Sequence, residues 1–219
     1  MMYLQNISTS VQEGNARKTE ELVAQALKAA CPPAEVLMKG LADGMIETEK
    51  RFYRNEILDS DVLIAEWAMK AGLQILMPAL KEEQRSLPGT VIIGTLEGEL
   101  RETGKEILSC LMQSQGLRVI DLGTSVSTIR FVEAAIDETA EIIACTTALT
   151  IFMPQMKLLV QAAAQADIRG KTKILLSGGP VTEWFCKSIE ADMYAPDPIK
   201  AAEMAAEYCR KVGGTALLR

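Results

Sequence analysis

The chain has 219 residues, a net charge of −6 and no histidine, with 48% hydrophobic and 24% charged residues. These shares are typical of a globular protein with one large or two small domains, and the acidic balance argues against nucleic acid as a partner. Without histidine, Ser-His-Asp and Cys-His catalysis, histidine zinc sites and proton transfer by imidazole are all excluded.

The cysteines are widely spaced and form no CxxC pair: Cys31, Cys110, Cys145, Cys186 and Cys209. This spacing argues against a disulfide framework or a Cys₄ zinc site and predicts reduced, mostly buried thiols in a cytoplasmic protein. The segment Met1–Ser10 is too polar for a signal peptide, and no apolar run approaches membrane-spanning length. No membrane partner is therefore expected.

Residues 14–85 contain no convincing strand and are predicted to form a small helical bundle. Apolar residues at helical spacing predict three helices, over residues 16–30, 34–51 and 59–81. Pro78 is expected to bend or break the last turn of the third helix. The turn cluster Ser86-Leu87-Pro88-Gly89 indicates a boundary between a helical domain, 1–87, and a second domain, 88–219.

After this boundary, short apolar β-branched runs alternate with helical patterns. Five strands are predicted: Thr90–Gly94, Leu117–Asp121, Glu141–Cys145, Lys173–Ser177 and Asp192–Ala195. Strands that are apolar throughout and separated by helices indicate a parallel sheet covered on both faces. The predicted fold class is therefore α/β, a helical bundle followed by a flavodoxin-like, doubly wound, five-stranded sheet.

In such sheets ligands bind beyond the carboxyl ends of the strands, and the loops after strands 1, 3 and 4 are rich in glycine or hydroxyl groups. The glycines after strand 1, Gly94, Gly98 and Gly104, match the spacing of neither a dinucleotide fingerprint nor a P-loop. From the residues alone two interpretations stay open, a ligand site or glycines that only form turns.

Three segments carry a more specific pattern. They read Glu99-Leu100-Arg101-Glu102-Thr103-Gly104, then Thr146-Thr147-Ala148-Leu149-Thr150 with Met153, then Gly178-Gly179-Pro180 followed by Tyr194-Ala195-Pro196-Asp197. With these segments the sequence resembles the cobalamin-binding domain of corrinoid-dependent methyltransferases, whose motifs are DxHxxG, an SxL type and Gly-Gly. The helical part resembles the four-helix cap that precedes this domain, so the resemblance covers nearly the whole chain.

The resemblance implies that cobalamin, as methylcobalamin, cob(I)alamin or a related corrinoid, binds with its nucleotide tail in a slot between strands 1, 3 and 4. The cofactor-binding residues that it implies in the second domain are Gly98, Glu99, Leu100, Arg101, Glu102, Thr103, Gly104, Thr146, Ala148, Leu149, Thr150, Met153, Gly178, Gly179, Pro180, Tyr194, Ala195 and Asp197. Those that it implies in the cap are Met45, Phe52 and Val62.

The sequence departs from the family at the lower ligand of cobalt. Arg101 stands where the family has its ligating histidine, and Glu99 stands where it has the aspartate that orients this histidine. A guanidinium has no lone pair and stays protonated, so Arg101 cannot coordinate cobalt, and no protein metal ligand is predicted. Two states stay open, a tail-in cofactor with water or nothing below cobalt, and an altered base-on pose.

The resemblance implies a corrinoid subunit that carries a methyl group on cobalt between partner methyltransferases, rather than a stand-alone enzyme. Such a protein positions the cofactor, which performs the bond chemistry. The alternative is a non-catalytic cobalamin carrier, store or sensor, and a domain for another ligand such as flavin comes third. A homodimer is a further option. The methyl donor and acceptor are not specified by the sequence.

Overall fold

The computed structural model describes residues 2–82 and 89–216. The chain divides into two units, Met1–Gln84 and Arg85–Arg219. The boundary predicted between residues 87 and 88 lies outside the described residues and stays a prediction.

The described part of the first unit is helical. It consists of α1 (Met2–Gln12), α2 (Ala16–Lys28), α3 (Pro33–Glu35), a π-helical segment (Val36–Ala42), α4 (Asp43–Tyr53) and α5 (Asp59–Glu82). The three predicted helices are confirmed, although the second contains the π-helical turns that the sequence did not indicate. Helix α1 was not predicted. Helix α5 continues through Pro78, so this proline does not break it.

Close backbone packing holds this bundle together. Helix α5 packs along α2, and α1 packs against α2, α4 and the π-helical segment. A Cβ atom on Gly44 would lie 2.8 Å from the backbone oxygen of Ser8, so only glycine lets α1 and α4 approach this closely. Val23, Leu41 and Leu76 are fully buried and belong to the apolar interior.

Contrary to the expectation that no apolar run approaches membrane-spanning length, the segment Asp59–Leu80 of α5 is long and apolar enough to cross a membrane by length and composition alone. The central helix of a soluble bundle has the same properties, and α5 packs against α2 and α4. This observation is therefore weak evidence for a membrane span.

The second unit contains a five-stranded parallel sheet. Its strands are β1 (Thr90–Ile93), β2 (Arg118–Asp121), β3 (Ile142–Thr146), β4 (Lys173–Ser177) and β5 (Met193–Ala195), in the order β2-β1-β3-β4-β5. All four pairings are parallel. Each strand lies within one residue of its predicted bounds, and the predicted doubly wound fold is confirmed.

Helices cover both faces of this sheet. They are α6 (Thr103–Ser114), α7 (Thr128–Asp137), α8 (Met153–Gln165), α9 (Glu183–Ser188) and α10 (Pro198–Ala216), with a 3₁₀ turn over Thr150–Phe152 before α8. Helices α7, α8 and α9 share one core with alternate strand residues such as Ile92, Ile143 and Ile174. Helices α6 and α10 pack on each other and on the strands of the other face.

All five cysteines are free thiols, and four of them are buried, as predicted. Cys145 lies in β3 with no exposed surface, and burial raises the pKa of its thiol strongly. Burial also raises the pKa of Cys209 to about 12. These thiols pack as small apolar side chains and are protonated at neutral pH.

Candidate functional site

Three loops meet at the carboxyl edge of the sheet, because β1, β3 and β4 are parallel and β3 lies between the other two. Thr146 and Ser177 are register partners at the ends of β3 and β4. Gly104, in the first turn of α6, faces Thr146, and a Cβ atom on this glycine would lie 3.4 Å from Thr146 Cγ2. The fold thus brings together three of the segments in which the site was predicted.

Glu99, in the loop after β1, is the central charged residue of this edge and is only 2% exposed. The hydroxyl of Thr147 donates to Glu99 Oε1 over 2.9 Å, and the backbone of Ala148 also hydrogen-bonds this carboxylate. The loops after β1 and β3 are therefore joined directly. The sequence motif contains Thr147, but no role was assigned to it there.

Glu99 Oε2, by contrast, is buried and has no hydrogen-bond partner among the described residues. Burial raises the pKa of this carboxyl from 4.5 to about 7, although its hydrogen bonds and the charge of Arg101 act in the opposite direction. Glu99 therefore exchanges a proton near neutral pH, and its second oxygen can donate or accept a hydrogen bond.

The loop after β4 lies directly against the loop after β3. Gly178 has a φ of +121°, and a Cβ atom there would lie 1.9 Å from the backbone oxygen of Thr147, so only glycine fits. The backbone N–H of Thr147 donates to the Ser177 oxygen over 3.3 Å. The side-chain hydroxyl of Ser177 is fully buried and has no hydrogen-bond partner among the described residues.

A buried lysine fixes the start of α6. Lys105 is 4% exposed, and its ammonium nitrogen lies 2.5 Å from Asp121 Oδ2 at the end of β2 and 4.0 Å from Glu102. Asp121 also accepts a hydrogen bond from the Gly123 N–H over 2.8 Å. The ion pair ties the helix that follows the motif loop to the neighbouring strand.

Three large apolar side chains on segments that follow β1, β3 and β4 are exposed. We call Leu100, Ile151 and Trp184 the apolar rim; they are 76%, 72% and 78% exposed. Leu100 was predicted as a binding residue, whereas Ile151 and Trp184 were not, because neither belongs to a motif. Exposed apolar groups on segments that follow the strands of a sheet are suited to contact a flat ring with polar substituents.

Comparison with known proteins decides the family. A B12 binding domain model matches residues 3–77, and a second B12 binding domain model matches residues 89–203. The chain is 35% identical to trimethylamine corrinoid protein 1 of Methanosarcina mazei over 80% of this chain and 82% of that protein. It belongs to the cobalamin-binding corrinoid proteins of methyltransferase systems.

Other corrinoid proteins agree with this assignment. The dimethylamine corrinoid protein of Methanosarcina barkeri is 32% identical over 84% of this chain and 87% of its own length. The structure of the monomethylamine corrinoid protein of the same organism superposes with a TM-score of 0.81 at 24% identity, covering 94% of this chain and 98% of that one. The resemblance and the fold derived from the sequence are both confirmed.

The residues at the sheet edge fit a corrinoid. Gly104 leaves open, opposite Thr146, the space that a larger side chain would fill. The unpaired hydroxyl of Ser177 and the unpaired Oε2 of Glu99 offer two buried hydrogen-bonding groups to a polar ligand. The apolar rim offers surface for the macrocycle.

The remaining predicted binding residues of this corrinoid protein have varied surroundings. Asp197 accepts a hydrogen bond from the Lys200 N–H over 2.8 Å and so caps the start of α10. Tyr194 packs against the sheet core, Ala195 is buried, and Thr150 is exposed. A further group is partly exposed: Arg101, Glu102, Ala148, Leu149, Met153 and Pro180.

Three predicted residues lie in the helical unit. Met45 and Val62 are 1% and 4% exposed, whereas Phe52 is partly exposed and forms an edge-to-face contact with Tyr53. Their role in binding a corrinoid stays a prediction. In the described residues, no three His, Cys, Asp or Glu side chains are grouped so that they could hold a metal ion.

Proposed function

We propose that this chain binds cobalamin at the carboxyl edge of its sheet and carries a methyl group between partner methyltransferases, with no protein ligand below cobalt. The observation that carries the proposal is the pair of unsatisfied buried groups, Glu99 Oε2 and Ser177 Oγ, on loops that leave the same sheet edge. A buried polar group without a partner costs free energy, and a polar ligand removes this cost. When bound, cobalamin supplies a cobalt centre that can accept and release a methyl group.

Each part of the edge has a role in holding the cofactor. Gly104, Thr146 and Ser177 would line the slot for the nucleotide tail, and the hydroxyl of Ser177 would hydrogen-bond it. The apolar rim would contact the macrocycle and exclude water from its edge. Glu99, held by Thr147, would hydrogen-bond an amide of the cofactor through its second oxygen.

Arg101 cannot act as the axial ligand, because a guanidinium offers donors but no lone pair. Its positive charge instead favours the ionised form of Glu99. The chain contains no histidine that could substitute for it. We therefore propose a tail-in cofactor whose cobalt has water or no ligand on the lower side.

The test compares Arg101→His with Arg130→His, which places a histidine on an exposed position of α7 as a matched control. Each apoprotein is titrated with hydroxocobalamin and followed by absorbance. The bound cobalt(III) is then reduced by one electron with an added chemical reductant, and the electron paramagnetic resonance spectrum of the cobalt(II) form is recorded. We expect the wild type to bind and to show no nitrogen coupling, and only Arg101→His to acquire the nitrogen-coupled signal of an imidazole ligand. A nitrogen-coupled signal in the wild type would contradict the tail-in pose. An unchanged signal in Arg101→His would show that residue 101 does not lie beneath cobalt.

The second candidate is a cobalamin carrier, store or sensor that transfers no methyl group, which the missing histidine favours. The two functions differ in turnover. Cobalamin-loaded, reduced protein is mixed with trimethylamine and a methyltransferase that serves a trimethylamine corrinoid protein. One equivalent of dimethylamine per bound cobalamin supports the methyl carrier. Tight cobalamin binding with no demethylated product, either from trimethylamine or from the other methylamines, supports the alternative.

The proposal also includes cytoplasmic methyltransferase partners and no nucleic-acid or membrane partner, in keeping with the net charge of −6 and the buried thiols. A homodimer is the oligomeric state to test first, by sedimentation of the loaded protein.

A further inference from the structure

The loop after β2 runs alongside the motif loop after β1. The Thr95 N–H donates to the Gly123 oxygen over 3.0 Å, and the Val126 N–H donates to the Thr95 oxygen over 3.0 Å. Leu96 and Val126 form a parallel bridge. The pairing of β1 with β2 therefore continues beyond the sheet edge and supports the loop that carries Glu99.

Ser125 joins these two loops through several hydrogen bonds. Its Oγ accepts a hydrogen bond from the Gly98 N–H over 3.0 Å, although the two residues are 27 positions apart. Its own N–H donates to Thr95 Oγ1 over 2.8 Å and lies 3.2 Å from the backbone carbonyl oxygen of Glu99. Thr95 Oγ1 in turn donates to that Glu99 oxygen over 2.5 Å. The backbone of Glu99 is thus held by two donors.

The backbone of Ser125 shows that this arrangement has a cost. Its φ is +52°, in the left-handed region that disfavours every residue with a side chain except Asn and Asp. Gly98, which Ser125 contacts, also has a positive φ, of +87°. The left-handed conformation strains a serine but not a glycine. The hydrogen bonds that Ser125 makes therefore maintain it in this exposed loop.

We infer that Ser125 is a positioning residue of the corrinoid site: it fixes the loop after β1 so that Glu99 reaches Thr147 and Arg101 is presented at the sheet edge. Ser125 acts through these residues and need not touch the cofactor. The inference rests on the proposed function for the identity of the ligand, but the effect of Ser125 on the loop can be measured without any ligand.

Two substitutions separate the hydroxyl from the backbone strain. Ser125→Gly keeps the left-handed conformation without strain and removes only the acceptor, so the apoprotein should unfold at the same or a higher temperature. Amide exchange at Gly98 should nevertheless become faster, and the dissociation constant for hydroxocobalamin should rise by about 2- to 10-fold, as expected for one net hydrogen bond. Ser125→Asn tolerates the conformation, supplies an acceptor and should restore both readouts.

Thr124→Ala is the matched control, because Thr124 is an exposed hydroxyl residue of the same loop. It should leave affinity and Gly98 exchange unchanged. The inference is overturned if Ser125→Gly binds hydroxocobalamin as tightly as the wild type, or if Gly98 exchange is unaffected. Failure of the wild type to bind hydroxocobalamin would contradict the proposed function instead, and Gly98 exchange in the apoprotein would still test the support that Ser125 gives to the loop.

Discussion

Replacing Glu99 with glutamine should remove a pH dependence of stability that the wild type owes to this one carboxyl. Burial raises the pKa of Glu99 from 4.5 to about 7. Between these two values the folded protein keeps a proton that the unfolded chain has released. The free energy of unfolding should therefore fall as the pH rises from about 4.5 to about 7 and should be constant with respect to this group above pH 7.

The magnitude follows from the pKa difference between the two states. Each unit of pKa difference corresponds to about 1.4 kcal/mol. The rise from 4.5 to about 7 thus limits the loss of stability to about 3 kcal/mol. Glu99→Gln keeps the size of the side chain and an oxygen that can accept from Thr147, so the substitution removes the titration with little change in shape.

The assay is urea unfolding of the apoprotein at pH values from 5 to 8, followed by circular dichroism and by amide exchange in β1 and β3. The quantity of interest is the difference in unfolding free energy between wild type and Glu99→Gln, which should decrease by about 2 kcal/mol across this range. Glu97→Gln is the control, because Glu97 lies in the same loop but is exposed.

Equal pH dependence in the wild type and Glu99→Gln would refute the reasoning. It would mean that Glu99 titrates alike in the folded and unfolded chain, and hence that its carboxyl is hydrated in solution. A difference that increases with pH would mean that the carboxylate is stabilised by Arg101 and its hydrogen bonds more than burial destabilises it.

Three further predictions concern the same sheet edge. Gly178→Ala should destabilise the apoprotein by more than about 3 kcal/mol in urea unfolding, because its positive φ and its contact with backbone exclude a Cβ atom, whereas Gly170→Ala, in open space, should stay within about 0.5 kcal/mol. Ser177→Ala should leave the unfolding free energy within about 0.5 kcal/mol of the wild-type value, since the hydroxyl has no partner among the described residues. It should nevertheless weaken hydroxocobalamin binding in equilibrium dialysis by about 2- to 10-fold. Unchanged affinity would exclude this hydroxyl from the site. Asp121→Asn should lower the free energy of unfolding by about 2 kcal/mol or more in thermal and urea unfolding, because it leaves the buried ammonium of Lys105 without this partner. Lys105→Met should lower it less, because Asp121 is 39% exposed and can be hydrated. A larger loss in Lys105→Met than in Asp121→Asn would contradict the prediction.

The central strands β1, β3 and β4 could be predicted from the sequence because burial on both faces makes them largely apolar. All five residues of β3 are buried, and the run of apolar residues marks the strand without any knowledge of its partners. The meeting of the three motif loops at one edge could also be predicted, since β1, β3 and β4 are parallel neighbours. These features depend on local composition and on general rules of topology.

Other features depend on contacts between distant residues, and the sequence did not reveal them. The role of Ser125 comes from a hydrogen bond to Gly98, 27 residues away, and the role of Thr147 comes from its hydrogen bond to Glu99. Helix α1 was missed because serine and threonine interrupt its apolar face, formed by residues such as Ile7 and Val11. The π-helical segment Val36–Ala42 carries no sequence signal that separates it from an α-helix.

Because Cys145 is buried, the reactivity of its thiol can measure how often the sheet opens at this edge. Its sulfur lies within β3, one residue before the Thr146-Thr147 pair, with no accessible surface and a pKa far above neutrality. A thiol reagent therefore reacts with it only in molecules in which β3 has separated from its neighbours. Protection of this thiol by a bound ligand would measure how far occupancy of the edge stabilises the centre of the sheet, at a cysteine that the chain already contains.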